Sequence, residues 1–179
     1  MIHFITPYSA NKSLANVYNY YASKFDRKDW ICFTDADAMF LSPFFGQQLE
    51  AIIKQHGKDY LAFTCMTNRV GNLAQCVDGR ISTNTDISYH ITRNKTISRA
   101  ANMLTVTELP TSSPLSGVMI LSKVSTMQDI PFRGNGMLGV DNNFHYDIAK
   151  KGKFGLMKGV YMFHKYRLDS KINDKSHLL

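Results

Sequence analysis

The spacing of apolar positions changes repeatedly along the N-terminal half of the chain, and each change predicts an element. Ile2 to Thr6 is a short β-branched and aromatic run, stopped by Pro7 and the polar stretch Tyr8-Ser9-Ala10-Asn11, which reads as a strand entering a loop. Leu14, Val17, Tyr18, Tyr21 and Phe25 then recur at helical spacing, so an amphipathic helix follows, with Asn16 and Asn19 on its other face. Asp26-Arg27-Lys28-Asp29 is a polar turn. After it, Trp30-Ile31-Cys32-Phe33-Thr34 is a continuous apolar run, the pattern of a strand covered on both faces, and it leads directly into Asp35-Ala36-Asp37. Ser42-Pro43 supplies a cap and a first-turn proline for a helix running to about His56 and ended by Gly57. Tyr60 to Met66 is a further strand, and Thr67 to Thr85 is a long polar segment expected to be a functional loop.

In the second half, Asp86 caps a short helix toward Ile97, and Met103 to Leu109 and Leu115 to Ser122 read as strands separated by Pro110-Thr111-Ser112-Ser113-Pro114. Val140, Phe144 and Ile148 mark a helix ended by Gly152, and Phe154 to Met157 and Val160 to Phe163 read as two late strands. The early alternation of strand and helix predicts an α/β fold, a three-layer sandwich around a mixed, mainly parallel central sheet.

The chain has 179 residues, of which 44% are apolar. That size and content suit one compact domain over 1–179 and argue against a multidomain enzyme or a disordered chain. Cys32, Cys65 and Cys76 lie in or near apolar runs without the spacing of a zinc site, so buried free thiols are expected. The N-terminus lacks the pattern of a secretion signal and no apolar run approaches a membrane span, which predicts a cytoplasmic protein.

Charge changes this picture at one end. From Lys150 onward eight basic residues face only Asp169 and Asp174, so a net +6 of the chain's +7 is C-terminal. A basic tail over about 164–179 implies anionic partners, and peripheral contact with the inner face of an anionic membrane is one expectation. The tail has no aromatic stacking motif and no dense basic run, which argues against nucleic acid.

The sharpest chemical signal is Asp35-Ala36-Asp37 at the end of a buried strand, because ligand sites in open α/β sheets lie beyond the carboxyl ends of the strands. Two readings are open there. A pair of carboxylates can hold a hard divalent cation such as Mn²⁺ or Mg²⁺, which keeps positions open for phosphate oxygens, or the two side chains can cap the turn that follows. His164, after an apolar strand, is either a metal ligand or a packed histidine, and the neighbouring Lys165 and Arg167 could neutralise a diphosphate. Asp141, at the start of a helix, is either a charge complementing the helix dipole or a general base, and His145 one turn later is a lesser candidate on the acceptor side. Arg69, Asn72, Gln75 and Arg80 in the long loop are polar without a single assigned role.

The segment from Trp30 to Leu41 resembles the DxD segment of nucleotide-sugar glycosyltransferases of the GT-A type, particularly the family 2-like group. Three more blocks are similar in the same order: Ile5-Thr6-Pro7-Tyr8, Leu115-Ser116-Gly117-Val118-Met119-Ile120 and Gly139-Val140-Asp141-Asn142-Asn143. The chain departs from the family in having Tyr18-Asn19 where an Arg-Asn pair is usual, Val140 where many relatives have Glu, and too few residues before the DxD for a second strand and helix. The resemblance implies a GT-A-like fold and a metal-dependent transfer of a sugar from a nucleoside-diphosphate-sugar donor to a hydroxyl of a glycan or lipid-linked acceptor, with inversion. It implies Asp35, Asp37 and His164 as metal ligands and Thr6, Pro7, Tyr8, Asn19, Asp35 and Lys165 on the donor side. Gly117 would permit close approach of the donor sugar, and Asp141 would be the base. Two other readings stay open: a haloacid dehalogenase-like phosphohydrolase using Asp35 and Asp37, and an inactive GT-A-like fold that binds anions or membranes.

Overall fold

The alternation of side chains in the strand Trp30–Thr34 sets the layering of the fold. Ile31 and Phe33 enter one apolar cluster, whereas Trp30 and Cys32 enter a second cluster on the opposite side. A strand buried on both faces requires cover on both, and helices supply it. The computed structural model describes residues 1–99 and 101–165. Most of the basic tail, including Arg167, lies outside the described residues.

Seven strands among the described residues form one open sheet: β1 (Ile2–Ile5), β2 (Trp30–Thr34), β3 (Ala38–Phe40), β4 (Tyr60–Thr67), β5 (Val106–Glu108), β6 (Met119–Lys123) and β7 (Lys153–His164). The order is β1-β2-β6-β4-β7-β3, with β5 also pairing β7. The helices are α1 (Leu14–Ala22), α2 (Phe45–His56), α3 (Ile87–Ile97), α4 (Val124–Asp129) and α5 (Val140–Ala149). Residues of α1, α4 and α5 pack into the first cluster and Leu49 and Ile52 of α2 into the second.

The architecture is therefore α/β with a mixed sheet, but the expectation of a mainly parallel sheet needs correction. Only β1–β2 and β4–β7 are parallel neighbours; β2–β6, β4–β6, β3–β7 and β5–β7 are antiparallel. Apolar patterning reports burial on two faces and not strand direction, and β6 is as buried as a parallel strand. The direction still matters for the site. β1, β2, β4 and β7 run the same way, so the carboxyl ends of β2, β4 and β7 open on one edge, and the reversed β6 brings its entering segment, Gly117-Val118, to that edge.

Local differences have local causes. The two late strands are one, β7, whose pairing with β4 jumps from Cys65↔Met157 to Met66↔Tyr161 at a bulge. Gly159 sits in that bulge, where an added Cβ would clash with the Asn102 carbonyl oxygen and the main chain of Met103. Helix α2 begins at Phe45, later than Ser42-Pro43 suggested, because Ser42 instead closes a turn by accepting the Phe44 N–H at 3.2 Å. The cap at Asp86 forms as expected, its carboxylate accepting the Ser88 N–H at 2.8 Å. Short elements with little periodicity, β3 and α4, were outside the expectations from spacing. All three cysteines are buried and free. Among the described residues no helix is long and apolar enough to cross a membrane.

Candidate functional site

Strand β2 ends at Thr34, and the chain turns at once. The Asp35 N–H donates to the Val118 carbonyl at 3.1 Å, and the Asp35 carbonyl accepts the Ala38 N–H at 3.3 Å. The turn is thus closed main chain to main chain, without a side-chain cap from Asp35. Its carboxylate is left for the cavity, and so of the two readings of the DxD segment the capping one does not describe Asp35.

The antiparallel pairing of β3 with β7 places Ala38 opposite His164, and this register delivers the imidazole to the two carboxylates. His164 Nε2 lies 3.1 Å from Asp37 Oδ1 and 3.6 Å from Asp35 Oδ2. One donor atom from each of the three residues falls within 4.8 Å of the others. The ring is held from behind. Its Nδ1 is 2.9 Å from the Arg69 carbonyl, which can only accept, so Nδ1 carries a proton. The histidine main chain is pinned by Asn68, which accepts the His164 N–H at 2.7 Å and donates to its carbonyl at 3.1 Å.

That arrangement directs Nε2 at two carboxylates, and an acceptor lone pair facing acceptor oxygens repels them. A proton on Nε2 or a cation among the three groups removes the repulsion. A carboxylate, carboxylate and imidazole set with a carbonyl fixing the tautomer is a donor set suited to a divalent metal such as Mn²⁺. Burial pushes the Asp35 carboxyl up to about 6; His164 opposes that rise and Asp37 and Asp141 add to it. About 43% of its side chain remains accessible, and the residue lines the cavity.

The cavity has a volume of about 940 Å³, in the range of small-molecule sites, and Asp35, Asp37, His164, Asp141, Tyr18 and Gly117 all line it. Asp141 stands at the first turn of α5. Its carboxylate accepts the Gly117 N–H at 2.7 Å and the Asn142 N–H at 3.0 Å. Burial raises its pKa and these main-chain bonds oppose the rise. A carboxylate has about four acceptor positions, so two main-chain donors leave room for a ligand hydroxyl.

Gly117 lies against Asp141. An added Cβ there would lie 3.0 Å from Asp141 Cβ and 3.1 Å from its Oδ2. The glycine permits the close approach of the aspartate, and it also lines the cavity. The segment around it is clamped from two sides. Asn142 donates to the Leu115 carbonyl at 2.7 Å, and Gln75 both accepts the Ser116 N–H at 2.8 Å and donates to its carbonyl at 3.0 Å. Asn72 donates to the carbonyls of Ser113 and Pro114.

Several expected site residues are placed elsewhere. Of the Thr6-Pro7-Tyr8 loop, only Pro7 lines the cavity; the Thr6 hydroxyl pairs with Thr34 at 3.3 Å and Tyr8 is 81% exposed. Asn19 does not face the cavity either. Its amide donates to the Phe132 carbonyl at 2.8 Å and accepts the Phe132 N–H at 2.9 Å, a two-bond tether to the loop before α5. Lys165 is outside the lining; its main-chain N–H donates to the Asp37 carbonyl at 2.9 Å. His145 is fully buried, accepting the Leu115 N–H at 3.2 Å and bonding the Leu109 carbonyl at 2.9 Å, so it supports the wall from behind. Among the described lining residues there is no lysine or arginine.

Reading the sequence missed Tyr18 as a site residue, because it fell in the apolar stripe of α1. The buried face is turned slightly from that stripe: Ala15, Tyr18 and Ala22 are its buried positions, and Leu14 and Tyr21 flank it half-buried. The overlooked signal was a hydroxyl at a position where packing requires only a ring. No protein-family model matches the chain, and no curated protein matches it in sequence.

Proposed function

We propose that the chain is a metal-dependent glycosyltransferase with a GT-A-like fold, moving a sugar from a nucleoside-diphosphate sugar to an acceptor hydroxyl. The observation that carries the reading is the convergence of Asp35, Asp37 and His164 on the wall of a cavity that also holds Asp141. The trio would hold Mn²⁺ or Mg²⁺, and the metal would supply positive charge to the departing diphosphate. The lining carries three carboxylates and, among the described residues, no lysine or arginine. A diphosphate therefore meets a repulsive field without a cation, and donor binding should require the metal.

Asp141 serves as the base in this reading. Its raised pKa strengthens it as a proton acceptor, and the Gly117 and Asn142 N–H groups fix its direction. It takes the proton of the acceptor hydroxyl as that oxygen attacks the anomeric carbon, and the bond from that carbon to the diphosphate oxygen breaks. The acceptor is a glycan or lipid-linked hydroxyl, and peripheral contact of the basic C-terminal segment with an anionic membrane belongs to the same reading. A phosphohydrolase of the haloacid dehalogenase type would want a lysine beside its nucleophilic carboxylate, which the described lining lacks.

Thermal unfolding with nucleoside diphosphates, with and without Mn²⁺, tests the proposal. A ligand at a hundredfold excess over its dissociation constant stabilises the folded state by about 2.7 kcal/mol. Stabilisation by UDP or GDP that needs Mn²⁺ and is lost in Asp37→Asn is the expected result. No stabilisation by any nucleotide with metal present would overturn the reading.

A further inference from the structure

We propose that the phenol of Tyr18 is a sugar-recognition group, donating a hydrogen bond to a hydroxyl oxygen of the transferred sugar. The inference rests on the glycosyl-transfer reading and adds the contact that would tell a sugar from a bare nucleotide.

The ring is built in. Tyr18 is only 2% exposed, and its ring lies 4.5 Å from those of both Phe33 and Phe132. Phe132 in turn stacks on Phe144 at 4.1 Å and is held by the two bonds to Asn19, the next residue of the same helix. Rotation of the phenol would break this packing, so the position of its oxygen is set by the core.

The hydroxyl is the part the core does not use. Buried phenols find a hydrogen-bond partner as a rule. Among the described residues the Tyr18 hydroxyl has none, and it is not sealed away, since the residue lines the cavity and its oxygen is absent from the fully enclosed unpaired atoms. A phenylalanine would satisfy the same aromatic cage. The oxygen is thus available to whatever fills the cavity.

The surroundings name the chemistry of that occupant. Burial holds the phenol protonated, and the charges of Asp35 and Asp141 act in the same direction, so the group is a donor. With Asp35 given to the metal, the Asp141 carboxylate accepts and the phenol donates on the borders of a common space, which suits a ligand whose groups both donate and accept, as sugar hydroxyls do and phosphate oxygens do not. With the metal and diphosphate at Asp35 and the acceptor hydroxyl at Asp141, the span between them is occupied by the transferred sugar.

The test compares wild type and Tyr18→Phe by calorimetry, using Mn²⁺ with a nucleoside diphosphate and Mn²⁺ with the corresponding nucleoside-diphosphate sugars. The variant should bind the diphosphate within about twofold of wild type and the cognate sugar nucleotide about tenfold more weakly, the size of one hydrogen bond. A second arm uses deoxy analogues of the cognate sugar. Wild type should discriminate against one deoxy position by about tenfold, and the variant should not. Equal affinity of both proteins for the sugar nucleotide would overturn the assignment while leaving the metal–diphosphate site standing. Failure of wild type to bind any nucleotide with Mn²⁺ would overturn the site reading, and this assignment with it. The unliganded unfolding midpoint of the variant, expected to be unchanged, separates recognition from a structural role.

Discussion

Replacing Gly117 by alanine asks whether the approach of Asp141 to the β6 entry is as tight as it stands. An alanine Cβ would meet Asp141 Cβ at 3.0 Å and Oδ2 at 3.1 Å, both closer than ordinary van der Waals contact, and Cγ at 3.4 Å, at its limit. Both sides resist movement. Gly117 is preceded by Leu115 and Ser116, whose main-chain groups are bonded by Asn142, His145 and Gln75, and Asp141 is anchored at the start of α5 beside the fully buried Val140. Overpacking of this kind costs about 1–3 kcal/mol. At roughly 2 kcal/mol, a chain of this size should lose about 4–8 °C in its unfolding midpoint. The same displacement lengthens the 2.7 Å bond from the Gly117 N–H to Oδ2 and turns the carboxylate away from its present direction. Transfer activity should therefore fall, whereas Mn²⁺ binding at Asp35, Asp37 and His164 should persist. Denaturation followed by circular dichroism, paired with metal titration, reads both effects. Truncating Asp141 to alanine in the Gly117→Ala background should recover part of the lost stability, because it removes the crowded Oδ2. An alanine variant as stable as wild type would refute the claim that this glycine exists to admit the aspartate.

Two further outcomes are expected. Asn19→Ala removes both bonds to Phe132, leaves a partly buried N–H and C=O unpaired, and should cost about 1–3 kcal/mol in chemical denaturation; a neutral result would show that the tether is dispensable and that Tyr18 is held by ring packing alone. Asp147 bonds Arg133 and Lys150, which hold its carboxyl at about 2, below the usual carboxylate range. Its contribution is present above about pH 4 and is lost as pH falls toward 2, so the stability gap between wild type and Asp147→Asn, under about 1 kcal/mol because both cations are largely exposed, should close over that window. A gap independent of pH would mean that the ion pairs contribute nothing.

What was legible in the chain was whatever depends on neighbours in sequence. The continuous apolar run Trp30–Thr34 marked a strand buried on both faces, the apolar spacing in α1 marked a helix on the sheet, Asp86 marked a cap, and the carboxylate pair following the buried strand marked the place where chemistry is expected. Strand direction was not legible, because burial has the same signature in parallel and antiparallel neighbours. Nor was the division of labour between Tyr18 and Asn19, adjacent in sequence, whose roles follow from which way each side chain leaves the helix. Only the folded sheet brings His164 to Asp37, through the register of β3 against β7, and Asp141 to Gly117, through the reversal of β6. The sequence carries the types of the reacting groups, since those are covalent facts. Their distances are set by packing between residues 24 to 127 positions apart, and that packing is a property of the whole fold.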